Sequence, residues 1–163
     1  MNFMKRSLGI VSDTHSLDLP EKMLKEFRKV DFIIHAGDFC TLKDVQRLEK
    51  IKKVKAVYGN RDEDAIRQIF PRKQILEIDA FHIGLFHGEG SPTMVLERVR
   101  AEFAKDKVDC IIFGHSHQPF NQMIDSVLYF NPGSPNDICA ACCSYGILEI
   151  AGKKIIGKLI KVK

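Results

Sequence analysis

The chain has 163 residues, 45% of them apolar, which is one domain's worth of sequence and enough to bury a core without disulfides or a structural metal. Its 25 Lys and Arg against 21 Asp and Glu give a net charge of +4, too mild for a nucleic-acid-binding stripe or an acidic tail, and no stretch approaches a membrane span. Cys139, Cys142 and Cys143 crowd together and make a poor disulfide framework, and Ser12 and Asp13 cut the first apolar run too short for a secretory leader, so a soluble cytoplasmic protein is expected.

Along the chain, apolar runs of strand length alternate with amphipathic, helix-length segments, the rhythm of βαβ units and a largely parallel sheet. Leu8 to Val11 reads as the first strand. Leu19 to Val30 reads as a helix with Pro20 near its first turn and Met23, Leu24, Phe27 and Val30 on one face. Phe32 to Ile34 is the next strand, Thr41 caps a helix on which Leu42, Val45, Leu48 and Ile51 recur, and Val54 to Tyr58 is a third strand. A short helix over Ala65 to Phe70 precedes strands at 74–79 and 81–86. Ser91-Pro92 signals a helix running to about Lys107 with Met94, Val95, Val99 and Phe103 inward, and Cys110 to Phe113 is a buried strand. Residues 120–124, 127–130, 145–150 and 154–162 read as short strands, with Ala151-Gly152-Lys153 a hairpin loop and the lysine-rich ending a solvated edge. Such a β-rich last third after an α/β beginning points to sheet packed on sheet with helices outside.

The chemistry lies in how five of these strands end. They run into Ser12-Asp13-Thr14-His15, His35-Ala36-Gly37-Asp38, Gly59-Asn60-Arg61-Asp62, His87-Gly88 and Gly114-His115-Ser116-His117. In parallel α/β sheets ligands bind outside the carboxyl ends of strands, so these termini can converge on one site. The converging set is Asp13, His15, Asp38, Asn60, His87, His115 and His117: two carboxylates, an amide oxygen and four imidazoles. Seven such donors exceed one tetrahedral zinc but suit two ions of intermediate softness, which at ~3.5–4 Å apart can clamp a phosphoryl oxygen and activate water. From residue frequencies, Asp-x-His and Gly-Asp are expected by chance roughly 0.4 and 0.8 times, but Gly-Asn-x-Asp only roughly 0.02 times and Gly-His-x-His roughly 0.015 times. The two rarer motifs therefore carry the signal, and phosphoester hydrolysis is the leading reading.

On these motifs, together with Asn131-Pro132-Gly133-Ser134, the sequence resembles the calcineurin-like metallophosphoesterases, in their small single-domain phosphodiesterase group, over nearly its whole length. The resemblance implies an α/β fold over residues 1–163, a four-layer α/β/β/α sandwich of two mixed sheets flanked by helices. It implies two divalent transition-metal ions per chain, manganese first, with nickel, iron, cobalt and zinc as alternatives. One ion would be bound by Asp13, His15, Asp38 and His117 and the other by Asp38, Asn60, His87 and His115, so that Asp38 bridges. The activity so implied is hydrolysis of a small phosphodiester by in-line attack of a metal-bridging hydroxide, with no membrane or nucleic-acid partner and with a homo-oligomer left open. The competing reading is a metal-binding interaction adaptor of the same fold, like one eukaryotic retromer subunit with a degraded metal site; the intact ligand set favours the enzyme.

The sequence also departs from that family. Larger relatives carry a His where this chain has Arg61, which cannot act as a general acid but can pair bidentately with phosphate; with Asn60 it is expected to bind substrate. Asp62 reads equally as an orienter of a ligand His or as an exposed helix-start acid. Glu89 stands where relatives often have His, and residues 135–143 replace a loop in which relatives tend to carry an Arg. The cysteines of that loop are expected to be free thiols, His35 a core residue, and His82 solvated.

Overall fold

The computed structural model describes residues 4–137 and 142–162; Cys139 lies outside the described residues. Two mixed five-stranded sheets face each other. The first has the order β10-β9-β1-β2-β3, with β1 (Arg6–Val11), β2 (Phe32–His35), β3 (Val54–Ala56), β9 (Ser144–Ala151) and β10 (Lys154–Lys161). The second has the order β4-β5-β6-β8-β7, with β4 (Lys73–Ile78), β5 (Phe81–Phe86), β6 (Cys110–Ile112), β7 (Phe120–Ile124) and β8 (Val127–Asn131). Helices α1 (Glu21–Phe27), α2 (Leu42–Glu49) and α3 (Asp64–Ile69) cover the first sheet and α4 (Val95–Glu102) the second, completing the four layers.

The strand runs are apolar because both faces are buried. In β1, Leu8 and Ile10 point between the sheets and meet Ile83, Leu85, Ile112 and Phe130, while Val11 lies on the other side, among Met23, Phe27 and Leu48 under the helices. Each sheet contains a parallel triplet, β1-β2-β3 in one and β5-β6-β8 in the other, in register Ile10↔Ile34, Ile34↔Lys55, Gly84↔Ile111 and Ile111↔Tyr129. β9 and β10 form the expected hairpin around Gly152, whose φ of 60° suits a glycine, and β10 is an edge strand.

Two expectations about helices need correcting. The helix after Ser91-Pro92 starts only at Val95, because Ser91 to Met94 close a turn in which the Met94 N–H donates to the Ser91 carbonyl (2.9 Å), and it ends at Glu102. Met94 is therefore a turn residue, 41% exposed, and the buried stripe is Val95, Val99 and Phe103. The first helix is likewise shorter, at Glu21–Phe27, with Pro20 as its extended N-cap; Leu24 is half-buried and Val30 reaches the core from the following turn.

Candidate metal centre

Five loops leave the carboxyl ends of β1, β2, β3, β5 and β6 and are bonded to one another. The Asp13 and His15 N–H groups donate to the carbonyls of Gly37 and Asp38 (3.0 and 3.1 Å), which zips the β1 loop to the β2 loop, and the Gly114 N–H donates to the His87 carbonyl (2.9 Å). The Asn131-Pro132-Gly133-Ser134 turn ties in the rest. Asn131 Nδ2 donates to the Gly114 carbonyl (3.0 Å) and Ser116 Oγ (3.1 Å), and the Ser134 hydroxyl donates to the Asp13 carbonyl (2.8 Å). Five of the expected ligands, Asp13, His15, Asp38, His115 and His117, have φ between 47° and 68°, a left-handed backbone that costs a non-glycine residue of order 1 kcal/mol and is held by these bonds. The loops also need glycine, for their own contact rather than for a ligand: a Cβ on Gly59 would lie 2.1 Å from Asp38 Oδ1, and one on Gly114 2.0 Å from Ser12 Oγ.

All seven expected side chains meet in one pocket. Asp13 is fully buried; its Oδ2 accepts from the Ser12 hydroxyl (2.6 Å) and the His115 N–H (3.0 Å), which leaves Oδ1 facing His117 Nε2 at 3.2 Å, His15 Nε2 at 3.7 Å and His87 Nε2 at 3.8 Å. Asp38 is arranged alike: Oδ1 accepts from the Arg61 N–H (2.8 Å), and Oδ2 lies 3.3 Å from His87 Nε2 and 3.8 Å from His15 Nε2. Asn60 Oδ1 sits 3.2 Å from His87 Nε2 and 3.1 Å from His115 Nδ1. The ring nitrogens turned away from the pocket have partners too: His87 Nδ1 donates to the Ala36 carbonyl, His115 Nε2 to the Gly90 carbonyl, and His117 Nδ1 to the Asp137 carboxylate.

In the metal-free protein these groups hold opposite charges together. Burial alone would raise the Asp13 carboxyl, but the nearby imidazoles of His117 and His15, the charge of His87 and the Ser12 hydroxyl keep it far below the usual carboxylate range. Burial would lower His87, yet the charges of Asp13 and Asp38 raise it to about 9; the Asp13 carboxylate close by, with Asp137 behind the ring, raises His117 to about 9. Divalent ions fit this donor set on one observation in particular. Asp13 Oδ1 is buried with no hydrogen-bond partner in a place where three imidazole nitrogens converge, and a buried carboxylate oxygen without a hydrogen bond is costly unless it coordinates. Two groups have ligand atoms close enough for one ion each, Asp13 with His15 and His117, and Asp13 with Asp38 and His87.

Beside this pocket opens a cleft of ≈ 380 Å³ lined by His15, Leu17, Cys40, Arg61, His117, Asn136 and Asp137. Asn136 and Asp137 thus bring the loop that departs from the family to the border of the site. Glu89 is exposed and paired with Arg72 (3.4 Å). Neither expectation for Asp62 holds: it is buried, and its carboxylate accepts the N–H groups of Asp38 (2.9 Å), Cys40 (2.8 Å) and Gly59 (2.7 Å), so it clamps two ligand loops through their backbone. His35 is fully buried and His82 half-exposed between Glu77 and Asp109. Cys40, Cys110, Cys142 and Cys143 are free thiols. Sequence reasoning missed the roles of Ser12 and Asp137, which no local pattern marks because their partners are one residue and 20 residues away in different geometries.

The family model described as the calcineurin-like phosphoesterase superfamily domain matches residues 6–153. A probable metallophosphoesterase from Methanothermobacter thermautotrophicus is 34% identical over 158 residues, covering 94% of this chain and 91% of its own. A phosphodiesterase from Methanocaldococcus jannaschii is 30% identical over 170 residues, covering 90% of this chain and 95% of its own. Among solved structures, a novel archaeal phosphodiesterase superposes with a TM-score of 0.76 at 28% identity, covering 94% of this chain and 99% of its own.

Proposed function

Because this chain belongs to the calcineurin-like phosphoesterase superfamily, we propose that it is a phosphodiesterase that hydrolyses a small phosphodiester with two divalent transition-metal ions, manganese first among them. The observation that carries this reading is Asp13 Oδ1, a buried acceptor left without a hydrogen bond at the meeting point of His15, His87 and His117. Asp13, His15, Asp38 and His117 would hold one ion and Asp38, Asn60, His87 and His115 the other; the distances of Asp38 Oδ2 from His15 Nε2 (3.8 Å) and His87 Nε2 (3.3 Å) support a bridging role for it. Such ions supply Lewis-acid polarisation of the phosphoryl group and lower the pKa of water.

The chain's own residues select the substrate. Arg61 is the permanent cation among the described residues that line the cleft, and its guanidinium can pair with phosphoryl oxygens while keeping its proton. Asn60 and Arg61 would thus orient the phosphoryl group, and protonation of the leaving oxygen falls to solvent. A phosphodiester carries one negative charge and matches one guanidinium, whereas the second charge of a monoester would be repelled by the Asp137 carboxylate, which lines the same cleft. The names of the Methanocaldococcus relative and of the archaeal structure point the same way.

Metal analysis of the purified protein, together with hydrolysis of aryl phosphodiesters and monoesters in the presence of Mn, Ni, Co and Zn, tests the proposal. Two ions per chain and faster diester turnover are expected. Activity surviving in the Asp38→Asn, His117→Ala double variant, or fewer than two ions at saturation, overturns the two-ion reading; full loading without turnover identifies an adaptor instead. Arg61→Ala should lower kcat/KM for a diester by about 10–100-fold, the worth of a charge-assisted hydrogen bond.

A further inference from the structure

His117 is held by packing far less than His87. Its side chain is 29% exposed, whereas that of His87 is 3% exposed, and it stands on a left-handed backbone at φ 57°. Each imidazole of the pocket has a partner on the nitrogen turned away from it: the Ala36 carbonyl for His87, the Gly90 carbonyl for His115, the Cys40 thiol for His15 (3.7 Å). Among these outward contacts only that of His117 is with a carboxylate, that of Asp137.

We infer that Asp137 is a positioning residue, whose carboxylate aims His117 Nε2 at Asp13 and His15. The inference rests on the proposed metal site. Asp137 reaches His117 from a loop that is itself anchored across the pocket: the Asn136 side-chain amide donates to the carbonyls of Thr14 (3.1 Å) and Asp18 (3.2 Å), and Cys143 Sγ approaches the Asp137 carbonyl at 3.3 Å. Through Asn136 and Asp137 this loop therefore bridges the β1 and β6 loops, whose His15 Nε2 and His117 Nε2 come within 3.1 Å of each other. A carboxylate behind a ligating imidazole fixes the ring's orientation and increases the basicity of the ligand nitrogen. Its effect belongs to the ion held by Asp13, His15 and His117, and not to the group of Asp13, Asp38 and His87.

Calorimetric titration of the metal-free protein with Mn²⁺, for wild type, Asp137→Ala and Asp137→Glu, tests this. Asp137→Ala should weaken one ion by about 10–100-fold and leave the other within about threefold, and Asp137→Glu should recover most of the loss. An Asp137→Ala isotherm superimposing on wild type, or equal weakening of both ions, overturns the inference. A crystal structure of metal-free Asp137→Ala gives a second readout: the His117 ring should turn so that Nε2 leaves its position 3.2 Å from Asp13 Oδ1, and an unmoved ring overturns the positioning role. If wild type takes up no Mn²⁺, the metal reading fails, while the ring position in the variant still decides the role of Asp137.

Discussion

Asp62 shows how much of the pocket depends on a side chain that does not face it. Its carboxylate accepts three backbone N–H groups, from Asp38, Cys40 and Gly59, and so fixes the turns that present Asp38 and Asn60. Asparagine offers one acceptor oxygen, and its amide would point N–H at N–H. Asp62→Asn should therefore destabilise the metal-free protein by about 1–3 kcal/mol, the cost of a buried donor left unpaired, read as a lower urea midpoint at unchanged m-value. The seven converging donors were legible in the sequence because each closes an apolar run and five lie in rare or glycine-bearing motifs. Asp62 and Asp137 were not legible as what they are, since a carboxylate that receives backbone N–H groups or an imidazole N–H from a distant loop looks the same in sequence as an exposed loop acid.

At the scale of elements, strand order explains why loops so far apart in sequence share one edge. The parallel triplets β1-β2-β3 and β5-β6-β8 end on the same side, and Asn131, the last residue of β8, joins the β6 loop from below. Its amide donates to the Gly114 carbonyl and its Oδ1 accepts the Gly133 N–H (2.9 Å), a division of labour that a carboxylate cannot copy. Asn131→Asp should set an anion against the Gly114 carbonyl, lower stability by about 1–3 kcal/mol in urea and weaken Mn²⁺ uptake at His115 and His117. Strands were easier to read than helix ends for a physical reason. A strand buried on both faces is apolar throughout, whereas the limits of α1 and α4 depend on turns, such as Ser91 to Met94, in which Pro92 is as comfortable as in a first helical turn.

At the scale of the whole molecule, one source of pH sensitivity lies in the core. His35 is fully buried, stacked on Phe39 with ring centroids 3.5 Å apart; its Nδ1 accepts the Gly37 N–H (3.1 Å), so the neutral ring keeps its proton on Nε2, 3.0 Å from the Thr14 hydroxyl. Burial pushes it down from 6.5 to about 3. The unfolded chain then binds a proton below pH 6.5 that the folded chain refuses until about pH 3, so this residue makes stability fall as the pH drops through that window. The slope is up to about 1.4 kcal/mol per pH unit, and urea titrations of metal-free protein should show it shallower in His35→Gln. Ion binding acts in the other direction: at a hundredfold excess over Kd one ion adds about 2.7 kcal/mol to the folded state, so a chelator should lower Tm by several degrees. How that energy is distributed follows from the way the ligands are divided. Asp13, His15, Asp38 and Asn60 belong to loops of the first sheet, and His87, His115 and His117 to loops of the second. Both three-residue groups that can hold an ion draw on the two sheets at once. Elsewhere the sheets meet largely through apolar side chains, which resist separation but have no preferred direction, so a loaded pocket is a latch at one edge of two greased plates. Loading should therefore slow amide exchange across β1 and β6 together, far beyond the loops themselves, because neither plate can tilt until the latch opens.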